Sequence, residues 1–445
     1  MSPEFVKRYS APVPRYTSYP TAPHFSADVG PQTYGAWLAA LPASARLSLY
    51  LHIPFCVSLC WYCGCCTKEV HRYEPVMEYL SPLKAEMRNT AARLPRAHHV
   101  THIHWGGGSP NILSAGDIAV LAEAQRAHFA VAEDAEFAVE IDPRDLSGDR
   151  VAAFAQAGVT RISIGVQDFD AKVQAAINRR QSYDETERAV LSFREHGIDA
   201  INIDLVYGLP HQTRAGIEET LGKVLQLKPS RIASFGYAHL PARLKHQALI
   251  DERSLPNVVE RFAQSNRIGL VLTRAGYVRI GLDHYALPGD ALAAGPIKRN
   301  FQGYTTDVAD ALIGLGASSI SRMPQGYAQN SAAAGDYARR VGEFGLATSR
   351  GVVLSECDRM RGLVIERLMC NFAFPAEELR QRFGASADPI LAEAEALIEA
   401  DRDRLVERDG GAFRVTPRGR PFVRAIAACF DAYLDARPVN HAPGV

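Results

Sequence analysis

Three cysteines in one short stretch, Cys56, Cys60 and Cys63, carry the most specific chemistry in this 445-residue chain. They stand in Tyr50-Leu-His-Ile-Pro-Phe-Cys56-Val-Ser-Leu-Cys60-Trp-Tyr-Cys63-Gly-Cys65-Cys66. Thiolates ligate iron–sulfur clusters, and a [4Fe–4S] cube takes four of them. A C-x3-C-x2-C loop supplies three and leaves the last iron open to a small molecule. A reducing iron beside the sulfonium of S-adenosylmethionine (SAM) is a source of a carbon radical, chemistry that side chains do not supply.

Other uses of these thiols have to be weighed. A structural zinc site closes four ligands, commonly as two C-x2-C pairs or a Cys/His set. Here Cys65 and Cys66 crowd the same loop, no second pair follows, and His52 and His71 are the nearby imidazoles. Cys357, Cys370 and Cys429 are scattered and no signal-peptide pattern opens the chain. A reduced, cytoplasmic protein is therefore expected, with those three cysteines as buried small hydrophobes.

Composition narrows the class further. A hydrophobic content of 47%, a charged content of 22% and a formal net charge of zero are those of a soluble globular enzyme. The balance of 49 basic and 49 acidic residues gives no basic stripe for nucleic acid. No apolar run is long enough to span a membrane. The tail from His441 to Val445 is expected to be frayed.

Six strand-like runs alternate with helical ones between residues 47 and 240: Leu47–Ile53, Val100–Trp105, Glu136–Ile141, Thr160–Val166, Ala200–Val206 and Arg231–Phe235. The helical stretches are Tyr73–Leu94, Asp145–Ala157, Ser182–His196 and Thr213–Leu227, with Asp184 and Thr213 as N-caps and Gly158 and Gly197 as C-terminal stops. Strands separated by helices imply parallel βαβ units with right-handed crossovers, and six of them suit an open β/α barrel. The polar and glycine-rich residues cluster at the strand ends: the cysteine loop, Gly106-Gly107-Gly108-Ser109, Glu140-Ile-Asp142, Gln167-Asp168, Asp204 with Tyr207-Gly208, and Tyr237-Ala238-His239. In such a barrel these ends share one rim, where active sites are built.

The triplet Gly106-Gly107-Gly108 reads as a close-approach cradle for the amino acid end of SAM, or as a plain strand-to-helix turn. Glu140 would hold SAM's ammonium or ribose, or form a salt bridge with Arg144 or Arg161. Gln167, Arg179 and Asp204 are either ligand contacts or solvated polar residues, and Tyr50 either core or cavity lining.

Residues 256–275 read as a helix, 278–340 as loop-rich, and the chain from about 345 as compact and helical, with a hairpin turning at Asp409-Gly410. Helices followed by such a hairpin resemble a winged helix, for which the neutral charge favours a packing or lid role. The expected organisation is a 1–45 extension over the barrel mouth, a 46–340 barrel and a 341–445 C-terminal domain.

Taken together, the motifs are similar, nearly end to end, to those of the oxygen-independent coproporphyrinogen III oxidase family of the radical SAM superfamily. They are Arg15-Tyr-Thr-Ser-Tyr-Pro-Thr21, the cysteine loop, His104-Trp-Gly-Gly-Gly-Ser-Pro110, Glu140-Ile-Asp-Pro-Arg144, Gly165-Val-Gln-Asp-Phe169, Asn202-Ile-Asp-Leu-Val-Tyr-Gly-Leu-Pro210, Tyr237-Ala-His-Leu-Pro241, Arg299-Asn-Phe-Gln-Gly-Tyr-Thr-Thr306 and Tyr327-Ala-Gln-Asn330. The resemblance implies an α/β fold: a partial (β/α)6 radical SAM barrel, an N-terminal extension and a mostly helical C-terminal domain. It places a [4Fe–4S] cluster on Cys56, Cys60 and Cys63, with Cys65 matching a family cysteine that is not a ligand. It implies two SAM molecules, the cluster-bound one on Tyr50, Gly107, Glu140 and Ile320. The second would lie on Tyr62, Gly108, Ser109, Gln167, Arg179, Asp204 and Ala238.

The family converts two propionates of coproporphyrinogen III to vinyl groups, giving protoporphyrinogen IX. A 5′-deoxyadenosyl radical takes hydrogen from the propionate β-carbon, CO2 leaves, and an electron passes to an acceptor the sequence does not name. An electron donor such as flavodoxin or ferredoxin, a monomeric state, and no nucleic-acid or membrane partner are further expectations. Because the substrate carries four propionates, Arg15 and Arg299 are expected to grip carboxylates. Cys66 departs from the family's usual polar residue, and Ser109 replaces the commoner Thr. The rival reading is a related haem-binding chaperone, whose relatives lack the Gly64-Cys65 ending and the N-terminal motif. A winged-helix regulator with a sensing cluster is a third, marked by salt-sensitive DNA binding.

Overall fold

The computed structural model describes residues 1–434, so the tail from His441 to Val445 lies outside the described residues. The six expected runs are strands β1 (Arg46–Ile53), β2 (His99–Gly107), β3 (Val131–Ile141), β4 (Arg161–Gln167), β5 (Ala200–Tyr207) and β6 (Arg231–Gly236). Between them lie α1 (Glu74–Ala91), α2 (Ala115–His128), α3 (Gly148–Gln156), α4 (Tyr183–Glu195) and α5 (Arg214–Gln226), with α6 (Val258–Arg274) after the sixth strand. Each neighbouring pair from β1 to β6 is parallel. The N-cap of α4 is Ser182 and not Asp184, because Ser182 forms a reciprocal capping box with Glu185; Thr213 caps α5 as expected.

Residues 278–340, read from sequence as loop, instead widen the sheet. They form β7 (Val278–Ile280), β8 (His284–Ala286), β9 (Ala311–Leu315), β10 (Ile320–Met323) and β11 (Gly326–Asn330), followed by β12 (Thr348–Val353). The order across the twelve strands is β12-β11-β10-β9-β1-β2-β3-β4-β5-β6-β8-β7. β9 pairs parallel to β1, Leu47 opposite Ala311 and Leu51 opposite Leu315, so seven strands run parallel and not six. Its run is short and its partner lies far away in the chain, which leaves no local periodicity to read. The sheet also passes the boundary expected at residue 340, since β12 closes its edge.

The strands are two-faced. Leu47, Leu51, Ile162, Ile164, Ile201 and Ile203 are less than 1% exposed and face the helix layer. Their alternates, Ser48, His102, His104, Glu136, Glu140, Arg161, Ser163, Asn202 and Asp204, line a central cavity. Period-two alternation puts one set on each face.

A second core joins the two ends of the chain. Phe5, Val13, Tyr16 and Tyr19 pack with Met360, Leu368, Phe374, Phe413, Phe422 and Phe430. Arg8 pairs with Asp403 at 2.9 Å, and Tyr16 donates to Asp431 at 3.0 Å. The C-terminal part comprises α7 (Glu356–Asn371), further helices and α8 (Val423–Ala428), plus a small sheet in which Ala412–Val415 lies between Ala373–Pro375 and Val406–Asp409. Its hairpin turns at Gly410-Gly411, because Asp409 still pairs with Ala412. Of the three scattered cysteines only Cys370 is buried; Cys357 and Cys429 are exposed, at the first turn of α7 and just beyond α8.

One buried acid holds the loop between β9 and β10. Glu86 of α1 accepts from Gly316 N and Tyr337 Oη, each at 2.7 Å, and from Asn330 Nδ2 at 2.7 Å. Burial raises its carboxyl to about 7, against those hydrogen bonds. A raised folded value means that this stabilisation is full below pH 4.5 and is lost as the pH climbs through 7. Chemical denaturation should show Glu86→Gln lacking that slope, a difference of up to roughly 3 kcal/mol between pH 4.5 and 8; an unchanged slope would contradict it.

Candidate active site

The strand ends and the cysteine loop open on one cavity of about 860 Å³. Cys56, Cys60 and Cys63 all line it. Among the described residues no three His, Cys, Asp or Glu side chains converge as ligands of a single ion.

The surroundings of the sulfurs suit thiolates. Arg144 and Arg179 direct Nη2 and Nη1 at Cys60 Sγ from 3.7 and 3.5 Å. Thr67 Oγ1 lies 3.2 Å from Cys56 Sγ, and Ser109 Oγ donates to it at 3.6 Å. The hydrogen bond from the Cys65 thiol draws Cys63 down to about 7, with Arg179 assisting, while it pushes Cys65 up. Burial pushes Cys56 up against Thr67 and Ser109.

Asp142 accepts from Arg144 at 2.6 Å and from Arg179 at 3.2 Å. Those pairs outweigh burial and hold its carboxyl at about 2. Glu140 forms no salt bridge with Arg144 or Arg161, the structural use weighed from sequence. Arg144 is taken by Asp142, and Arg161 by Glu136 and Asp290. Glu140 instead meets His104 Nε2 at 3.1 Å and accepts from Gly107 N at 3.1 Å. Burial raises its carboxyl, but His104 prevails and holds it below the usual range.

The glycine triplet is demanded first by the chain itself. A Cβ on Gly106 would stand 2.6 Å from Glu140, one on Gly107 2.4 Å from the His52 ring, and one on Gly108 2.4 Å from the Phe55 carbonyl. Gly107 also has φ +108°, which other residues avoid. The missing side chains thus let Glu140 and His52 pack against the end of β2.

A bulge at the end of β4 separates Gly165 from Gln167 in register, and Gln167 sits at φ +67°. It re-aims the Gln167 side chain at the rim. Arg179 donates to the Gly165 carbonyl at 2.6 Å. Asp204 accepts from Ser163 at 2.7 Å and Asn202 at 2.8 Å, and burial raises its carboxyl.

Of the residues that the resemblance assigns to cluster and SAM, Cys56, Cys60, Tyr62, Cys63, Gly107, Gly108, Ser109, Glu140, Gln167, Arg179, Asp204, Ala238 and Ile320 line this cavity, as do Arg15 and Arg299, while Tyr50 and the first glycine of the triplet, Gly106, do not. The Tyr50 ring is stacked on His104 at 5.8 Å and its hydroxyl is 3.0 Å from His52 Nδ1, which turns it from the wall. The Arg299 side chain is 5% exposed, lies over the Tyr304 ring at 4.5 Å, and leaves Nε and Nη1 without a partner. Arg15 is exposed and donates to the Gly236 carbonyl.

Sequence reading missed the residues that fasten the cysteine loop. Gln247, 1% exposed, donates to the carbonyls of Tyr62 and Ala238, each at 3.1 Å, and accepts from Leu240 N at 2.6 Å. His246 Nε2 meets the Cys63 carbonyl at 2.8 Å, and Asn178 donates to Leu59 at 3.0 Å. A lone glutamine in a polar segment carries no signal by itself. Asp142 and Arg144 were legible as a motif but not as a charge bridge to sulfur.

Comparison with known proteins follows the same lines. The model of the radical SAM superfamily matches residues 50–224, and that of the HemN C-terminal domain residues 354–422. The site and the parallel sheet are thus those of a radical SAM protein. An oxygen-independent coproporphyrinogen III oxidase of Bradyrhizobium diazoefficiens is 46% identical, over 97% of each chain. One from Paracoccus denitrificans is 45% identical over 96% of this chain and 95% of its own. The solved coproporphyrinogen III oxidase of Escherichia coli, described as a radical SAM enzyme, superposes with a TM-score of 0.90 at 38% identity, covering 94% of this chain and 98% of its own. The chain belongs to the oxygen-independent coproporphyrinogen III oxidase family.

Two substitutions probe the site. Gly107→Ala must displace His52 or move the end of β2, at a cost of roughly 1–3 kcal/mol. SAM binding to reconstituted protein, followed by equilibrium dialysis, should weaken. Gln247→Leu strands the Leu240 amide and frees the cysteine loop, costing about 1–3 kcal/mol; anaerobic reconstitution should give less cluster absorbance per chain.

Proposed function

We propose that this enzyme decarboxylates two propionate side chains of coproporphyrinogen III to vinyl groups without oxygen, yielding protoporphyrinogen IX in haem biosynthesis. The observation that carries the reading is one cavity lined by three thiols and by two arginines, Arg15 and Arg299. Its volume lies near the top of the roughly 300–1,000 Å³ range of small-molecule sites.

Cys56, Cys60 and Cys63 would hold the [4Fe–4S] cluster. When bound, cluster and SAM together supply the 5′-deoxyadenosyl radical that takes hydrogen from a propionate β-carbon. Glu140, aligned by His104 and Gly107 N, presents an ionised carboxylate to the ammonium or ribose of the cluster-bound SAM, beside Gly107 and Ile320. Tyr50 acts on that SAM by bracing His52 and His104. A second SAM on Tyr62, Gly108, Ser109, Gln167, Arg179, Asp204 and Ala238 is supported by the presence of all seven in the lining of the cavity. Arg15 and Arg299, which line the same cavity, serve as carboxylate partners, and Arg299's free N–H groups favour that use.

A low-potential donor such as flavodoxin or ferredoxin, a separate electron acceptor, a cytoplasmic location and a monomeric state complete the proposal. Among the described residues no helix is long and apolar enough to cross a membrane.

The test is anaerobic: reconstituted protein, SAM, a strong reductant and coproporphyrinogen III, with product mass and 5′-deoxyadenosine measured together. Two losses of CO2 per product, each with SAM consumed, are expected; SAM cleavage without vinyl product would refute the assignment. The cluster's visible absorbance should fade in air and persist under argon. Arg299→Ala and Arg15→Ala should each raise KM for the tetrapyrrole about tenfold or more, and wild-type values in both would remove their assignment.

A further inference from the structure

Behind the wall formed by Arg15, Gly236 and Arg299 lies a second, smaller cavity of about 40 Å³, and those three residues line both. Arg261 of α6 and Arg424 of α8 also line it, and the carboxylate among its lining residues is Asp283. Arg279, at its edge, donates to the Leu282 carbonyl at 2.8 Å. None of the cluster cysteines reaches this cavity.

The charges do not balance. Asp283 is committed to His284 Nδ1 at 2.8 Å and lies 4.0 Å from Arg299 Nη1. Arg261, 9% exposed, spends Nη2 on the Tyr237 carbonyl at 2.8 Å and leaves Nε unpartnered. Arg424 Nε and Arg299 Nε and Nη1 are likewise buried without a partner. Burial, with like-charge repulsion between neighbouring arginines, lowers the affinity of Arg261 and Arg424 for their protons. Buried cations with idle donors cost free energy unless an anion answers them.

The arrangement is nevertheless built in. Phe262, next to Arg261, stacks on Phe422 at 5.7 Å with 6° between the rings, and Phe422 stands just before α8. The stack brings an arginine from the barrel side and one from the C-terminal domain to the same small space. Planar guanidinium forks match a carboxylate, and the volume admits one such group and little more.

We propose that this cavity binds one carboxylate of the substrate, a propionate retained in the product, with Arg261 and Arg424 as its ligands. The inference rests on the tetrapyrrole reading above and extends it: the C-terminal domain supplies a substrate ligand. Two of four propionates do not react, and one held behind the Arg15–Arg299 wall is kept from the thiol side of the main cavity.

The test uses coproporphyrin III, the oxidised and unreactive porphyrin with the same four propionates, titrated by fluorescence into cluster-loaded enzyme. Arg261→Gln and Arg424→Gln should each weaken binding by roughly 10- to 100-fold, and Arg424→Lys should recover part of the loss. Cluster absorbance and melting temperature report whether the variants fold. Sodium acetate, titrated alone and in competition, separates a free anion from a substrate carboxylate: it should compete weakly with the porphyrin. Tight acetate binding that leaves porphyrin affinity unchanged would overturn the proposal, as would wild-type porphyrin affinity in both glutamine variants. Failure of the wild type to bind coproporphyrin III would overturn the substrate reading with it.

Discussion

A single carboxylate, Asp142, lies between the guanidinium groups of Arg144 and Arg179, and both of those groups face the sulfur of Cys60. Two arginines could not be packed together there without a counter-charge. Asp142 provides it and fixes both forks in direction. The bridge joins the end of β3, the segment after β4 and the cysteine loop, so the positions of the thiols and of the strand ends are one problem with one solution. Arg179 then reaches the Gly165 carbonyl, which ties the bulge at Gln167 to the same network.

The second constraint is the polar inner face of the sheet. Parallel sheets are ordinarily apolar on both faces, whereas here one face carries serine, histidine, asparagine and acid–base pairs around the cavity. Many of these groups pair with one another: Asn202 and Ser163 serve Asp204, and Arg161 and Arg231 meet Glu136 and Asp290. A cavity so lined keeps its shape without a hydrophobic filling and offers a ligand oriented dipoles and charges. The apolar outer face, packed on α1 to α5, supplies the stability.

Much of this was legible because it is local. Alternation in Val100-Thr-His-Ile-His-Trp105 and Ala200-Ile-Asn-Ile-Asp-Leu205 marks strands with one polar face, and chemically loaded strand ends follow from parallel topology. β9 was not legible, because its pairing with β1 spans the whole barrel sequence and its Gly- and Ser-rich flanks read as loop. The glycine triplet was recognised, but sequence cannot say that Glu140 and His52 occupy the space its side chains would fill. Gln247, Arg261 and Arg424 escaped for a related reason: each is an ordinary polar residue in a helix or turn, and only the tertiary fold brings it against the cysteine loop or the arginine cluster.

The core that joins the two chain ends has a consequence for how the protein is made. Phe5, Val13, Tyr16 and Tyr19 share a core whose other buried residues begin at Met360, whereas the three thiols lie within the first 63 residues. A ribosome therefore releases the cysteine loop long before the last piece of the wall exists. Throughout that interval the thiols face an open side, accessible to whatever delivers iron and sulfide, and closure comes at the end of synthesis.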